Sequence, residues 1–344
     1  MDSTGQIQRD LDVSVVVPTF NRCGPLARLL AGLERQHARG ARFEVIVVDD
    51  GSDDGTDAFL ATVRTPYPLR AIRQRRQGPA AARNAAIAAA SADVLLFLDD
   101  DVVPQDGLFE GHLAVHARDP LAAVAGRMAA PAGHTFAPWL DWEATMLERS
   151  YARILAGNGG PGWWLFYTAN CSVRREHAFA VGGFDERFVR VEDSDLAYRL
   201  FARGLRFSFV PDAVVEHEPD RTFETWLRNA FVSGLHRVLM ERRIGAAGAG
   251  NIQDDWRRRR SSTRLLARWC VGHRGRTRLV VAAARHALMS PLTPRRLRLA
   301  LCSALYNVRF WGGIAEATGL GSSLWSEFID RPAASMPDAV PQRS

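Results

Sequence analysis

The chain has 344 residues, 47% hydrophobic and 24% charged, which is ordinary globular composition and enough for one large domain or two smaller ones. All 44 of its basic residues are arginine, so chemistry that needs a lysine is excluded. The net charge of +6 hides an uneven spread: residues 1–220 carry 23 arginines against 30 acids, and residues 221–344 carry 21 against 8, which predicts an acidic catalytic part and a basic part that meets something anionic.

Residues 13–17 read as a buried strand and 21–37 as a helix with Leu26, Leu29, Leu30 and Leu33 on one face. A second strand is expected over 43–48, a short helix over 54–63 and a third, more polar strand over 69–74. Residues 79–90 read as an alanine-rich helix with Pro79 near its first turn, and 94–98 as a fourth strand. Strands alternating with helices predict a parallel sheet covered on both faces. The pattern then loosens into a helix around 108–116, a strand near 123–127 and a long stretch rich in aromatics, with Trp139, Trp142, Trp163, Trp164, Phe166 and Tyr167. A helix over 192–204 should end at Gly204, followed by strands over 206–210 and 213–217 and a helix over 222–243. Residues 245–250 form a small-residue linker ahead of Arg257-Arg258-Arg259-Arg260, and basic amphipathic helices follow to about residue 318. No internal repeat is present.

The apolar run 94–98 ends in Asp99, Asp100 and Asp101. Such a run reads as a strand buried on both faces. Three carboxylates at its end repel one another unless a cation sits among them. In an extended chain Asp99 and Asp101 share a side, roughly 6–7 Å apart, which suits one Mg2+ or Mn2+ bound through oxygen. Beyond the carboxyl end of a strand in an open α/β sheet, such an ion fits a phosphorylated ligand. The plain alternative is a solvated acidic turn. The second strand runs into Asp49-Asp50-Gly51-Ser52-Asp53-Asp54, where Asp50 is placed to accept N–H bonds from a nucleobase and Asp54 to cap the next helix. Arg83, in the first turns of its helix, either reaches a phosphate or is an ordinary surface arginine. Glu192-Asp193-Ser194-Asp195 opens the later helix with more acids than capping needs, so one could serve as general base to an acceptor hydroxyl. His217, ending an apolar strand, would add a third ligand to the aspartate-held metal, although a lone histidine is more often structural. Trp163-Trp164, after Gly159-Gly160-Pro161-Gly162, is either a platform for a sugar face or core.

In order along residues 12–220 stand Val15-Val16-Val17-Pro18-Thr19-Phe20-Asn21-Arg22, Val47-Val48-Asp49-Asp50-Gly51-Ser52, Gly78 with Ala82-Arg83-Asn84, Phe97-Leu98-Asp99-Asp100-Asp101, Thr168-Ala169-Asn170, Gly182-Gly183-Phe184-Asp185 and Glu192-Asp193-Ser194-Asp195-Leu196. Each is common alone; in this order and spacing the set resembles the family-2 glycosyltransferases of the GT-A fold. The resemblance implies an α/β fold, a Rossmann-like nucleotide-binding sheet with helices on both faces plus a C-terminal helical extension. The catalytic domain would span 12–220, with a nucleotide-sugar half at 12–101 and an acceptor and catalytic half at 102–220. A basic helical region would span 221–330 and a disordered tail 331–344. The implied reaction is an inverting, metal-dependent transfer of a sugar from a nucleotide-diphosphate sugar to a hydroxyl acceptor, in cell-surface polysaccharide, glycolipid or related glycoconjugate synthesis. By resemblance, Pro18, Asp50, Arg83, Asp99 and Asp100 fall to the nucleotide sugar, with Asp50 on the base. Asp99 and Asp101 frame a Mn2+ or Mg2+, with Asp101 the direct ligand and His217 an occasional one. Asp193 is the implied catalytic base, and Trp163, Trp164 and Glu192 are the acceptor-side candidates.

Rival readings fit less of the chain. Asp99-Asp100-Asp101-Val102-Val103 satisfies the strand-end pattern of haloacid dehalogenase phosphatases, but three strands precede it and lysine is absent. A nucleotidyltransferase of similar fold finds no Gly-rich phosphate loop here, and no GxGxxG follows the first strand. A non-catalytic module for anionic surfaces explains the basic part and not the acidic strand ends. The expected partners are a nucleotide-sugar donor, a hydroxyl acceptor (a lipid-linked one among the options) and an anionic membrane surface, with no nucleic acid. At that surface Leu265, Leu266, Trp269, Leu279 and Val280 would bury one helical face; a soluble helical cap is the alternative. Cys23, Cys171, Cys270 and Cys302 form no CxxC pair, which favours reduced thiols over a zinc site or disulfides. Residues 1–12 lack an apolar signal region and no apolar run of about 18 residues occurs, so the expected location is cytoplasmic, with peripheral attachment to the inner face of the cell membrane as an option.

Overall fold

The computed structural model describes residues 11–38, 40–244 and 251–330. The linker expected over 245–250 and the tail expected over 331–344 lie outside the described residues. Among these, the chain divides into two compact units. One runs to His134 and resumes from Met146 to Pro219; the other takes Thr135–Thr145 and everything from Asp220.

The first unit is built on the apolar runs of the sequence. Strands β1 (Val13–Thr19), β2 (Phe43–Asp49), β3 (Leu69–Arg73) and β4 (Val94–Leu98) pair in parallel in the order β3-β2-β1-β4. Alternate residues face opposite ways. Val13, Val15, Val17, Val45, Val47, Leu96 and Leu98 form one core with Leu26, Leu29, Leu30 and Leu33 of α1 (Cys23–Ala38). A short α2 (Thr56–Thr62) follows β2. On the other face Val16, Ile46, Val48, Leu95 and Phe97 join α3 (Pro79–Ala89), whose Ala80, Ala82 and Ala86 let it lie close to the sheet. The carboxyl ends of β2 and β4 therefore deliver Asp49-Asp50 and Asp99-Asp100-Asp101 to one edge of the sheet.

The second half of the sheet departs from the parallel pattern. Helix α4 (Leu108–Arg118) leads to β6 (Ala122–Ala129). The aromatic-rich stretch conceals a helix, α5 (Pro138–Leu155), and a strand, β7 (Asn170–Arg174). β7 runs antiparallel to both β4 and β6. After α6 (Arg175–Ala180) and α7 (Glu192–Ala202), β8 (Arg206–His217) is one continuous strand where two were expected, parallel to β6. A three-residue strand, β5 (Val102–Pro104), closes the edge antiparallel to β8 and sets Val102 opposite His217.

The β6–β8 ladder slips register at Gly126/Arg127, and Asn170 repairs the slip. Its Nδ2 donates to the carbonyls of Arg127 (3.1 Å) and Ala213 (2.9 Å). A Cβ on Gly126 would lie 2.3 Å from that nitrogen. With its amide NH2 committed, Asn170 Oδ1 must accept, and His112 Nε2–H donates to it at 2.9 Å. His112 Nδ1 then accepts from Ser172 Oγ–H (2.8 Å), and Ser172 Oγ accepts from His116 Nε2–H (2.8 Å). This donor order requires His112 to be neutral, because its Nδ1 accepts, and leaves the buried Nδ1 of His116 without a hydrogen-bond partner. Burial pushes His112 down to about 4 and His116, with the added charge of His112 beside it, to about 3. The Thr168-Ala169-Asn170 motif thus serves as a clamp in the sheet.

The second unit is helical, with α8 (Phe223–Ile244), α9 (Ile252–Arg257), α10 (Ser261–Cys270), α11 (Arg274–Met289) and α12 (Arg295–Thr318). Its core stacks Trp256 on Trp325 at 4.4 Å and sets Trp311 edge-on to Trp256 at 4.8 Å. Buried Glu241 pairs with Arg237 and accepts the backbone N–H of Ile252, which fixes the start of α9. Helices α8 and α12 touch through glycine. A Cβ on Gly234 would lie 2.0 Å from the carbonyl oxygen of Phe310, and one on Gly313 would lie 2.0 Å from that of Phe231. The four cysteines are free, and among the described residues no helix is long and apolar enough to cross a membrane.

Two outcomes follow from this packing. The histidines are neutral when folded and titrate near 6.5 when unfolded, so each contributes stability that is present above pH 6.5 and is lost as pH falls toward 4. Asp100 and Asp193 are shifted the other way over part of this range, so the effect is read as a difference. In urea titrations, the stability gap between wild type and His116→Gln should shrink by about 1.4 kcal/mol per pH unit below 6.5; a gap independent of pH would overturn the neutral chain. Gly313→Ala should destabilise by about 1–3 kcal/mol through overpacking, read as a lower melting temperature; an unchanged melting temperature would contradict the glycine contact.

Candidate active site

At the end of β4, three adjacent aspartates meet four partners, one of which two of them share. Asp99 is one-third exposed and accepts from Arg83 Nη2 at 2.7 Å. Asp100 accepts from Thr19 Oγ1 at 2.8 Å and lies 3.3 Å from Arg22 Nη1. Asp101 accepts from the same Arg22 nitrogen at 2.7 Å, and its other oxygen is 3.4 Å from His217 Nε2. The chain turns at Asp100 and Asp101, so Asp101 shares Arg22 with Asp100 instead of a side with Asp99 as an extended chain would have placed it, and the β5–β8 pairing brings His217 beside Asp101. Burial pushes Asp100 up to about 7, with Arg22 opposing and Asp101 adding to the shift. Burial acts the same way on Asp101, but His217 and Arg22 outweigh it and hold that carboxyl well below the usual range.

Arg83, nearly sealed from solvent, turns one guanidinium nitrogen to Asp99 and another to Glu192 Oε1 at 2.9 Å. The sequence alternatives for this residue were a phosphate ligand or a surface arginine; its exposure rules out the second. The surrounding loops are tied to the same helix. Asn84 accepts the N–H of Phe184 (2.7 Å) and donates to its carbonyl (2.9 Å), and a Cβ on Gly183 would strike Asn84 Oδ1 at 2.5 Å. Just before α7, Val191 holds a left-handed backbone, φ 58° and ψ 20°. A β-branched residue there carries strain of about 1–3 kcal/mol, a conformation that persists only where the surroundings enforce it.

Asp193 follows in the first turn of α7. Its residue keeps a partial opening to solvent while protein atoms surround the carboxylate. Burial, with Glu192 beside it, pushes Asp193 up to about 7, against the opposing N–H of Ser194 and the Arg83 charge. Asp195 is fully buried and pairs with Arg199 along the helix, so it is a structural acid. Of the three acids opening α7, Glu192 pairs with Arg83 and Asp195 with Arg199, while Asp193 accepts from the N–H of Ser194 and keeps an opening to solvent.

Asp50 lies two strands from Asp99, about 10 Å by sheet spacing. Its carboxylate accepts from Gln74 Nε2 (2.7 Å) and from the backbone N–H of Gln77 (2.8 Å) and Gly78 (2.8 Å). It therefore fixes the loop that opens α3, where Gly78 has φ 95° and ψ 168°, a region only glycine occupies readily. Asp54 accepts the N–H of Thr56 and of Cys23, so it binds the starts of both α2 and α1. Pro18 stands near the end of β1, opposite Val48. Trp163 packs edge-on to Tyr198 of α7 against the core, while Trp164 is 53% exposed and folds over Gly162. The two adjacent tryptophans thus divide the sequence alternatives: Trp163 supports the core, and Trp164 alone presents a face to solvent.

The expected metal set of Asp99, Asp101 and His217 is only partly assembled. Among the described residues no three His, Cys, Asp or Glu side chains gather at ligand spacing, because Asp99 turns to Arg83. Asp101 and His217 remain as a carboxylate–imidazole pair. Two protein ligands suffice for a divalent ion whose remaining positions are taken by phosphate and water, so the residues fit such an ion once Arg22 moves off Asp101. Sequence reasoning missed Arg22 as a member of the site, along with Thr19 and Gln74. An arginine three residues beyond a strand that neighbours an acidic strand end was the available signal.

The pattern defining glycosyl transferase family 2 matches residues 14–181. The Pre-mycofactocin glycosyltransferase of Mycobacterium tuberculosis is 34% identical over 246 residues, 67% of this chain and 48% of that protein. The Validoxylamine A glucosyltransferase of Streptomyces hygroscopicus subsp. jinggangensis is 32% identical over 244 residues, 62% of this chain and 57% of that protein. The chain thus spans about half the length of these curated relatives. In fold it is similar to the mannosyltransferase PcManGT from Pyrobaculum calidifontis, solved with GDP-Man and Mn2+, with TM-score 0.59, 21% identity, and coverage of 90% of this chain and 92% of that one. By its sequence pattern, its relatives and its sheet, this chain is a member of glycosyl transferase family 2 with a GT-A fold.

Proposed function

We propose that the chain is an inverting glycosyltransferase that moves a sugar from a nucleoside diphosphate sugar to a hydroxyl acceptor. The observation that carries this reading is Asp193, a half-buried residue in the first turn of α7 whose carboxylate is pushed up to about 7 by burial and its acidic neighbour. A general base works best with a pKa near the operating pH. In the reaction Asp193 takes the proton of the acceptor hydroxyl as that oxygen bonds to the anomeric carbon and the bond to the nucleoside diphosphate breaks. Attack opposite the leaving group inverts the anomeric centre.

The other side chains prepare that step. Arg83 locks Glu192 and Asp99, which sets the first turn of α7 against the end of β4. Asp50 orders the 74–78 loop on the nucleotide side, and one open lone pair of its carboxylate remains for a base N–H. Asp101 and His217 would hold a Mn2+ or Mg2+, and when bound that ion would offset charge on the departing diphosphate. The Pyrobaculum neighbour's complex with GDP-Man and Mn2+ supports the donor class and the metal. Trp164 offers its exposed face on the acceptor side. The product belongs with cell-surface polysaccharide, glycolipid or related glycoconjugates.

A second reading concerns the helical unit, which we infer meets an anionic membrane surface. Leu265, Leu279 and Leu292 are 72%, 64% and 89% exposed among arginine-rich helices, and Trp269 is exposed beside them in sequence. Apolar side chains standing in a basic field suit an interface with anionic headgroups.

Asp193→Asn should leave donor binding near the wild-type value and cut turnover by about 10²–10⁴-fold, and the wild-type rate should rise with pH through about 7 as Asp193 loses its proton. Weakened donor binding with unchanged turnover per bound donor would make Asp193 a helix cap. Asp101→Asn should weaken Mn2+ binding, followed by electron paramagnetic resonance, and lower turnover at least about tenfold at fixed Mn2+. Full wild-type activity in chelator would remove the metal from the reading.

A further inference from the structure

A cavity of about 750 Å3 lies within the helical unit, walled by α8, α11 and Arg309 of α12. None of its walls belongs to the carboxylate site. One face of α11, from Thr277 to Met289, lines it for about 18 Å of helix. Phe223, Leu227, Val281 and Met289 make it apolar, yet four arginines and one carboxylate, Glu224, also reach it.

The charges are not balanced by the protein. Arg285 pairs with Glu224 at 3.1 Å and lies over the Phe223 ring. Arg228 and Arg278 form no ion pair among the described residues. Arg309 is half-buried; it reaches only the Leu227 carbonyl, at 3.5 Å, and stacks on the Phe231 ring at 4.8 Å. Burial lowers its affinity for its own proton, and no carboxylate compensates. An unpaired cation withdrawn from water is costly, and a bound anion removes that cost. Guanidinium groups suit phosphate because each can donate two parallel hydrogen bonds to its oxygens. The volume falls in the range of sites for single small ligands.

We propose that this cavity binds one phosphorylated lipid, its phosphate among Arg228, Arg278 and Arg309 and its chain along Phe223, Leu227, Val281 and Met289. The site differs from general attraction to a charged surface because it combines a concave apolar wall with unpaired arginines, and Arg257 to Arg260 do not line it. It is independent of the transferase reading, since binding alone tests it.

The test titrates the full chain calorimetrically with dodecyl phosphate below its micelle concentration, with inorganic phosphate and dodecyl maltoside in parallel. Dodecyl phosphate should bind saturably at one site and raise the melting temperature, while the head alone and the uncharged chain should bind at least about tenfold more weakly. Arg309→Met, which removes the charge, and Val281→Trp, which fills the space, should each weaken dodecyl phosphate at least about tenfold. Arg258→Gln with Arg260→Gln, outside the cavity, should leave its affinity unchanged. Vesicles of phosphatidylcholine doped with phosphatidic acid should compete with dodecyl phosphate, and pure phosphatidylcholine vesicles should not. Inorganic phosphate binding as tightly as dodecyl phosphate would replace the lipid with free phosphate and overturn the proposal. Equal binding of dodecyl maltoside, wild-type affinity in both cavity variants, or equal weakening by the outer arginine pair would overturn it as well.

Discussion

Arg83 is nearly sealed from solvent and is held by carboxylates from two distant parts of the chain, Asp99 at the end of β4 and Glu192 at the start of α7. A buried guanidinium is tolerable only while such partners stay in place; removing one partner of a buried pair costs about 3–5 kcal/mol. The interaction therefore does more than join two residues. It fixes the first turn of α7 relative to the sheet, and with it the orientation of Asp193. Glu192 then has two consequences at once: it neutralises Arg83, and its charge helps to keep Asp193 protonated up to about neutral pH. The strain at Val191 belongs to the same arrangement, because a relaxed backbone there would swing the opening of α7 away from Arg83.

Arginine plays a comparable part at the other end of the strand-end cluster. Asp100 and Asp101 share Arg22, whose charge offsets part of the repulsion between two adjacent carboxylates. Their protonation is split: one is held charged by His217 and Arg22, and the other, against Thr19, is pushed up toward neutrality by burial. A chain without lysine gains something from this. Guanidinium remains charged in such enclosed places, where an ammonium group shifts its pKa readily.

The strand ends were legible in the sequence because three runs, at 15–17, 45–48 and 94–98, are apolar without interruption, as strands covered on both faces are. Asp99, Asp101 and Asp193 could be singled out because carboxylates clustered at a strand or helix end exceed what capping uses. The second half was less legible for physical reasons. β7 pairs antiparallel deep in the sheet and is separated from α5 by residues 156–169, so the alternation of strand and helix gives no warning of it. α5 has its tryptophans at 139 and 142 on one helical face, a pattern diluted by the other aromatics around it. The partners of Asp99 and Asp101 were hidden because arginine carries no signal of whether it faces water or a buried carboxylate. In the helical unit the arginine excess was plain, but its division into pairs such as Arg268–Asp330 and Arg295–Asp141 and unpaired residues such as Arg278 depends on packing that composition does not encode.

The three-residue strand β5 also constrains the order in which the molecule can be made. It carries Asp101's neighbour Val102 to the side of His217, a contact that spans more than a hundred residues of chain. Strands β1 to β4 can pair while the rest of the protein is still unsynthesised, since all of their parallel partners lie within the first hundred residues. The imidazole end of the cluster cannot form until β8 has been made and has docked beside β6. During synthesis the acidic strand end therefore exists first without His217, and contacts of such long sequence separation close late and slowly. Arg22, three residues past the end of β1, is already present at that stage to offset the repulsion between Asp100 and Asp101.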